Sequence, residues 1–147
     1  MRIKRTEVRL GLMLLVLGIT LLLMVSPVPG AESEDNDRAI HNTILGQIEA
    51  FANDDEAAAW QYASDGVRRR FGSPDLFVDM VRQTYPAVYR ASSIEFAERV
   101  PHGDFDIQVV HLSGPEGKRW DAYYRMVRID GEWKVSGVVM QPADMGI

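Results

Sequence analysis

The 147-residue chain has no cysteine. Disulfides are therefore excluded, as is a lipid anchor attached to a cysteine at a leader's cleavage point. A hydrophobic core must hold the fold alone. The chain also lacks a basic excess, with 16 Lys+Arg against 21 Asp+Glu and a net charge of −5. That balance disfavours nucleic acid or an anionic membrane surface as a general partner. Ser64, Ser73 and Ser136 lack the Gly-x-Ser-x-Gly frame of a hydrolase nucleophile. Histidine is scarce at three residues; His41 falls in the lead-in, His102 in a loop, and neither has metal-ligand company. No metal site and no cofactor are expected.

What is present begins with a leader. Arg2, Lys4, Arg5 and Arg9 precede an uncharged apolar run of 16 residues, Leu10–Val25. Helix breakers and small residues follow, Ser26 to Ala31. This is the order of an export signal. The run lies between a usual signal core and the ~20 residues of a full membrane crossing. Two readings stand: a signal cleaved after Gly30 or Ala31, and an uncleaved anchor with its basic end in the cytoplasm. Both put the folded part outside the cytoplasm, periplasmic or secreted, and only the second involves the membrane. Residues 1–30 hold four basic residues and one acid, so the remaining 117 residues carry 12 Lys+Arg against 20 Asp+Glu. The expected organisation is a leader or anchor over 1–30, a flexible lead over 31–39, one domain over 40–141 and a tail over 142–147.

Within the domain, Ile40, Ile44, Leu45, Ile48 and Phe51 recur at helical spacing. Asn53 with Glu56 reads as a capping box opening a second helix to about Ala63. Gly66–Gly72 reads as a connector. Ser73-Pro74-Asp75 opens a third helix whose buried face is Leu76, Phe77, Met80, Val81, Thr84 and Tyr85. The period then changes to 2, with strands expected at Ser92–Arg99, Asp106–Ser113, Arg119–Ile129 and Glu132–Met140. Asp130-Gly131 is a two-residue hairpin turn and pairs Arg128 with Trp133, Met126 with Val135 and Tyr124 with Gly137. A Gly114–Gly117 loop would pair His111 with Trp120. On that register the helix-facing side holds Ile94, Phe96, Ile107, Val109, His111, Trp120, Ala122, Tyr124, Met126, Trp133, Val135 and Val139. Val110, Leu112, Tyr123, Val127, Val138 and Met140 would lie among charges on the outer side.

The expected fold class is α+β: three N-terminal helices packed on a curved four-stranded antiparallel meander. This arrangement resembles the cystatin-like, or nuclear-transport-factor-2-like, cone. Particular stretches are similar to the family called domain of unknown function 4864. They are Gln47-Ile48-Glu49-Ala50-Phe51 with Asp54-Asp55, Tyr62-Ala63-Ser64, Arg70-Phe71-Gly72, Phe77 to Val81, Tyr85 to Tyr89, and Gly131 to Val138. The resemblance covers residues 40–141 and implies a fold; the family label carries no activity. The wider fold hosts ketosteroid isomerases, dehydratases and epoxide hydrolases as well as binding and assembly domains. Those enzymes commonly carry a strand pair between the second and third helices. Here only Asp65–Gly72 lies there, which implies a missing wall and a narrowed cone.

The ligand-pocket candidates are His111, Trp120, Tyr124, Tyr85 and Trp60: a titratable group and four aromatic walls with polar tips. Each has a competing use as core or rim. Asp54 and Asp55 are explained by a helix start, and Arg68-Arg69-Arg70 by a solvated surface. No catalytic residue is assigned. The reading is an exported small binding or protein-interaction module, its partner a small apolar ligand, another protein, or a second copy through the outer sheet face. The alternative is a small-molecule lyase or isomerase using a polar group in the cone.

Overall fold

Spacing of three and four places Ile40, Ile44, Ile48 and Phe51 on one stripe of a helix. The computed structural model, which describes residues 24–26 and 28–143, buries all four to 5% exposure or less on α1 (Pro29–Ala52). α1 starts well before Ile40, so the segment expected as a flexible lead is helical instead. Its anchor is Arg99 on the sheet, which ion-pairs Asp37 and donates to Ser33 Oγ at 3.1 Å. Residues 1–23, 27 and 144–147 lie outside the described residues, and so do the expected leader and most of the tail. Among the described residues no helix is long and apolar enough to cross a membrane.

α2 (Glu56–Gln61) is capped by Asp55, which accepts from the Ala58 N–H at 3.1 Å, so the cap is two residues later than Asn53. The expected connector contains a helix, α3 (Asp65–Phe71). Ser64 Oγ accepts from the Val67 N–H at its start, and Gly72 at φ +78° ends it. α4 (Pro74–Thr84) buries Phe77, Val78 and Val81, while Leu76 stays 57% exposed. A single turn, α5 (Pro86–Tyr89), then leads into the sheet.

Four strands follow: β1 (Ser93–Pro101), β2 (Asp106–Ser113), β3 (Arg119–Ile129) and β4 (Glu132–Pro142). They are antiparallel in the order β1-β2-β3-β4. The helices precede the strands and pack on one face of the sheet, as expected, with two short helices beyond the three read from the sequence. Asp130 and Gly131 take φ +51° and +82° and turn β3 into β4, pairing Arg128 with Trp133 and Met126 with Val135.

Two register details differ from expectation and decide which side chains face the helices. The β2–β3 loop is one residue longer than assumed, because Gly114 N–H closes on the Lys118 carbonyl at 2.9 Å. Gly114 is fixed there by close packing: a Cβ on it would lie 2.7 Å from Ala87 Cβ. Leu112 therefore pairs with Trp120, and His111 with Asp121. One residue of slip reverses the faces of β2. Val110, Leu112 and Gln108 point into the core, while Ile107, Val109 and His111 point to the convex side.

The second detail is a bulge between the Met126–Val135 and Arg125–Gly137 pairs, which leaves Ser136 as the extra residue. Beyond it Val138 and Met140 turn towards the helices, and Val139 turns out to 61% exposure. The bulge follows the point where the α2–α3 connection captures this edge strand. There the Ser64 N–H donates to the Val135 carbonyl and the Val135 N–H to the Tyr62 carbonyl. A third irregularity, between Phe96 and Arg99 on β1, turns carbonyls inward, and fully buried Gln108 donates through Nε2 to those of Ala97 and Glu98. Tyr124 sits beside it, fully buried, its hydroxyl without a partner among the described residues. Burial alone pushes that phenol's pKa far up, so Tyr124 stays neutral.

Candidate functional site

The principal cavity is built by α3, which the sequence read as a connector, together with α1, α4 and β4. It has a volume of about 710 Å³, within the ordinary range of small-molecule sites. α1 contributes Gln47 and Phe51 to it, and α3 contributes Gly66, Val67, Arg70 and Phe71. α4 adds Phe77, Met80, Val81 and Thr84, and the following turn Tyr85 and Val88. From β4 come Val135, Ser136 and Val138. The lining also includes convex-side residues near the bulge, Ile107, Tyr123, Arg125 and Val139, so the space is not confined to one face of the sheet. As expected, no strand pair lies between the helices Glu56–Gln61 and Pro74–Thr84; α3 stands there and supplies part of the cavity's wall.

The chemistry of the lining is lopsided. No Asp, Glu or His is among its residues, and its charges are Arg70 and Arg125. Arg125 donates to Ser136 Oγ at 2.7 Å and lies 4.2 Å from the Phe105 ring centroid. Gln47 is buried and donates to the Ala59 carbonyl at 3.2 Å, which fixes its amide at the cavity's inner wall. Phe77 is the hub of the aromatic wall, with ring centroids 5.8 Å from Trp60, 5.8 Å from Phe71 and 6.0 Å from Phe51.

The structure does not bring the five sequence candidates together. Tyr85 lines the cavity. Trp60 packs behind it against Phe77, and Tyr124 is sealed in the core. Trp120 and His111 border a separate hollow of about 170 Å³ at the far end of the sheet. His111 is on the convex side and not in the cone, a direct result of the β2 register. It is also not without a carboxylate: its Nδ1 lies 2.7 Å from Asp121 Oδ1, directly across on β3. Facing a carboxylate oxygen, Nδ1 is the donor of this contact.

Two other polar clusters tie elements together. The Tyr89 hydroxyl donates to Asp54, and Arg90 pairs with the same carboxylate at 2.8 Å. Tyr89 and then Arg90 hold the Asp54 carboxyl below its ordinary range. Asp54 thus fastens the α1–α2 turn to α5, a purpose distinct from the helix start that Asp55 serves. On the other flank, Arg99 and Asp106 form an ion pair at 2.6 Å with side chains 11% and 8% exposed. Among the described residues, no group of three His, Cys, Asp or Glu is arranged to hold a metal ion.

An α+β cone with helices first and an antiparallel meander after them is an NTF2-like fold. Among solved structures, this chain is similar to an NTF-2 like protein of unknown function from Silicibacter pomeroyi DSS-3. The TM-score is 0.54 at 16% identity, over 76% of this chain and 98% of that one. The chain belongs to the family described as Domain of unknown function (DUF4864), whose model matches residues 33–145. No curated protein matches it.

Proposed function

We propose that the protein is a small binding module, and that its ligand seat is the slot between α3, α4 and bulged β4. The observation that carries this reading is the cavity that includes the slot: about 710 Å³ together with its continuation onto the convex side, its slot walled by Phe51, Val67, Phe71, Phe77 and Val138, and its lining free of any acid or histidine. A lyase or isomerase in the cone needs a proton-transfer group within reach of its ligand. His111 is on the opposite face and the Tyr124 hydroxyl is sealed, so neither of these supports the catalytic alternative.

The test is binding of a neutral apolar fluorophore, N-phenyl-1-naphthylamine. Its emission should rise and shift to the blue with the native chain, and Val67→Trp, which fills the slot from α3, should abolish the change. An unchanged signal in Val67→Trp places the probe elsewhere and removes the reading.

Export and self-association belong to the same proposal. The leader-like order of residues 1–31 supports export. The convex face supports a dimer through Ile107, Tyr123, Val127 and Val139, a smaller apolar set than expected because Val110, Leu112, Val138 and Met140 face inward and Val109 is only 5% exposed. N-terminal sequencing and sedimentation of protein from an extracytoplasmic fraction test both. A form starting near Ala31 that sediments as a dimer at tens of micromolar is expected; intact Met1 in membrane, or a monomer, removes the corresponding part.

A further inference from the structure

We infer that the slot takes an apolar chain ending in a single anionic head, a medium-chain carboxylate in the simplest case, and that Arg70 recognises the head. The inference rests on the slot being the ligand seat, and it adds the ligand's charge.

Charge complementarity carries it. The chain is acidic, with 21 Asp+Glu against 16 Lys+Arg, yet its principal cavity is lined by two arginines and no carboxylate. An apolar cation or a zwitterion with an outward ammonium would find no partner there. An anion would find a guanidinium at the rim and an apolar wall beyond it.

Arg70 is singled out by what its neighbours do. Arg68, two residues earlier on α3, is committed: its Nε and Nη2 donate to the Trp60 and Gln61 carbonyls at 3.1 and 3.0 Å. Arg82 pairs with Asp79 and Arg90 with Asp54. Arg69 and Arg70 are both exposed, but Arg69 does not line the cavity. Arg70 alone of the α3 arginines lines it, and it has no ion pair or side-chain hydrogen bond among the described residues. Its guanidinium lies 5.6 Å from the Phe71 ring centroid, a placement that steadies the cation without using its hydrogen-bond donors. Solvated arginines are common at helix C-termini. Arg70 differs in standing at the edge of an apolar slot with its five N–H donors unspent, the geometry that a carboxylate accepts in bidentate fashion. Thr84 and Tyr85 bring hydroxyls to the same lining.

The experiment is competition against N-phenyl-1-naphthylamine on the purified full chain, with decanoate, decanol and decylammonium as competitors. Decanoate should compete about tenfold more tightly than decanol, the scale of one charge-assisted bidentate contact at a partly open site. Decylammonium should be the weakest. Arg70→Gln should lose the preference for decanoate over decanol, read as the ratio of the two competitors within the variant, whatever its affinity for the probe. Arg70→Lys should keep part of that preference, and Arg69→Gln, beside the slot but outside it, should keep all of it. Decanol competing as well as decanoate, or a preference that survives Arg70→Gln, overturns the head-group assignment while leaving the slot standing. A probe that fails to bind the native chain removes the slot and this inference with it.

Discussion

Replacing Arg99 by methionine should lower stability by about 3–5 kcal/mol, the cost typical of breaking a buried ion pair from one side. Arg99 reaches from β1 to Asp106 on β2 at 2.6 Å, to Asp37 on α1, and to Ser33 Oγ. Burial opposes its charge, but the hydrogen bonds it donates to Asp37 and Asp106 overcome that and hold its pKa above the ordinary value. Methionine fills much of the same volume and leaves the Asp106 carboxylate buried, at 8% exposure, without its cation. The loss is therefore a desolvated charge rather than a surface contact, which would be worth far less. The double variant Arg99→Met with Asp106→Leu should recover most of the loss, because removing both charges removes the penalty as well as the attraction. Urea midpoints of the native chain, the single variant and the double variant decide it. A single variant as stable as the native chain would mean that the pair is solvated. Neither residue touches the slot, so the fluorophore should bind the folded fraction of all three alike.

Arg99 also shows where the sequence was legible and where it was not. Alternation along β1 placed Phe96 and Ile94 correctly, but a bulge between Phe96 and Arg99 breaks the alternation and turns a charged side chain inward. Nothing in a pattern of hydrophobic and polar residues marks such a break. Strand limits, strand order and the Asp130-Gly131 turn were readable because each has a local cause: residue type, period and φ preference. Face assignment in β2 and outer β4 was not, since it depends on counting residues across a loop and past a bulge. Gly114 is set by Ala87, 27 positions away in sequence, and Ser136 by the capture of Val135 at Ser64. The candidate site followed these errors. His111 and Val139 were placed in the cone, and Val138 was placed outside it. The wall at α3 did have a signal, a Ser64 cap and a Gly72 stop with seven residues between them, the ordinary punctuation of a short helix.

Phe77→Ala should be about as costly as loss of the buried ion pair, roughly 3–5 kcal/mol, and unlike it should alter ligand binding. Phe77 is 5% exposed on α4 and is where the aromatic wall converges, touching Phe51 on α1, Trp60 on α2 and Phe71 on α3. Alanine removes the ring from the meeting point of four helices. Those neighbours are anchored by their own contacts, Phe51 against Tyr89 and Trp60 beneath the Arg68 guanidinium, so they can close the gap only in part. The transfer loss and the residual void then add. Phe77 also belongs to the slot lining, so the void opens into the slot instead of being sealed within the core. The variant should therefore accept bulkier apolar probes than the native chain does while binding slender ones more weakly, through lost contact on one side. Phe77→Leu, which keeps much of the volume, should recover most of the stability and the native size preference. Thermal midpoints read the first effect, and competition by decanol against a branched alcohol of equal carbon number reads the second. If Phe77→Ala costs several kcal/mol yet leaves that size preference unchanged, the ring supports the helices without forming the slot's wall, and the ligand seat must be placed nearer β4.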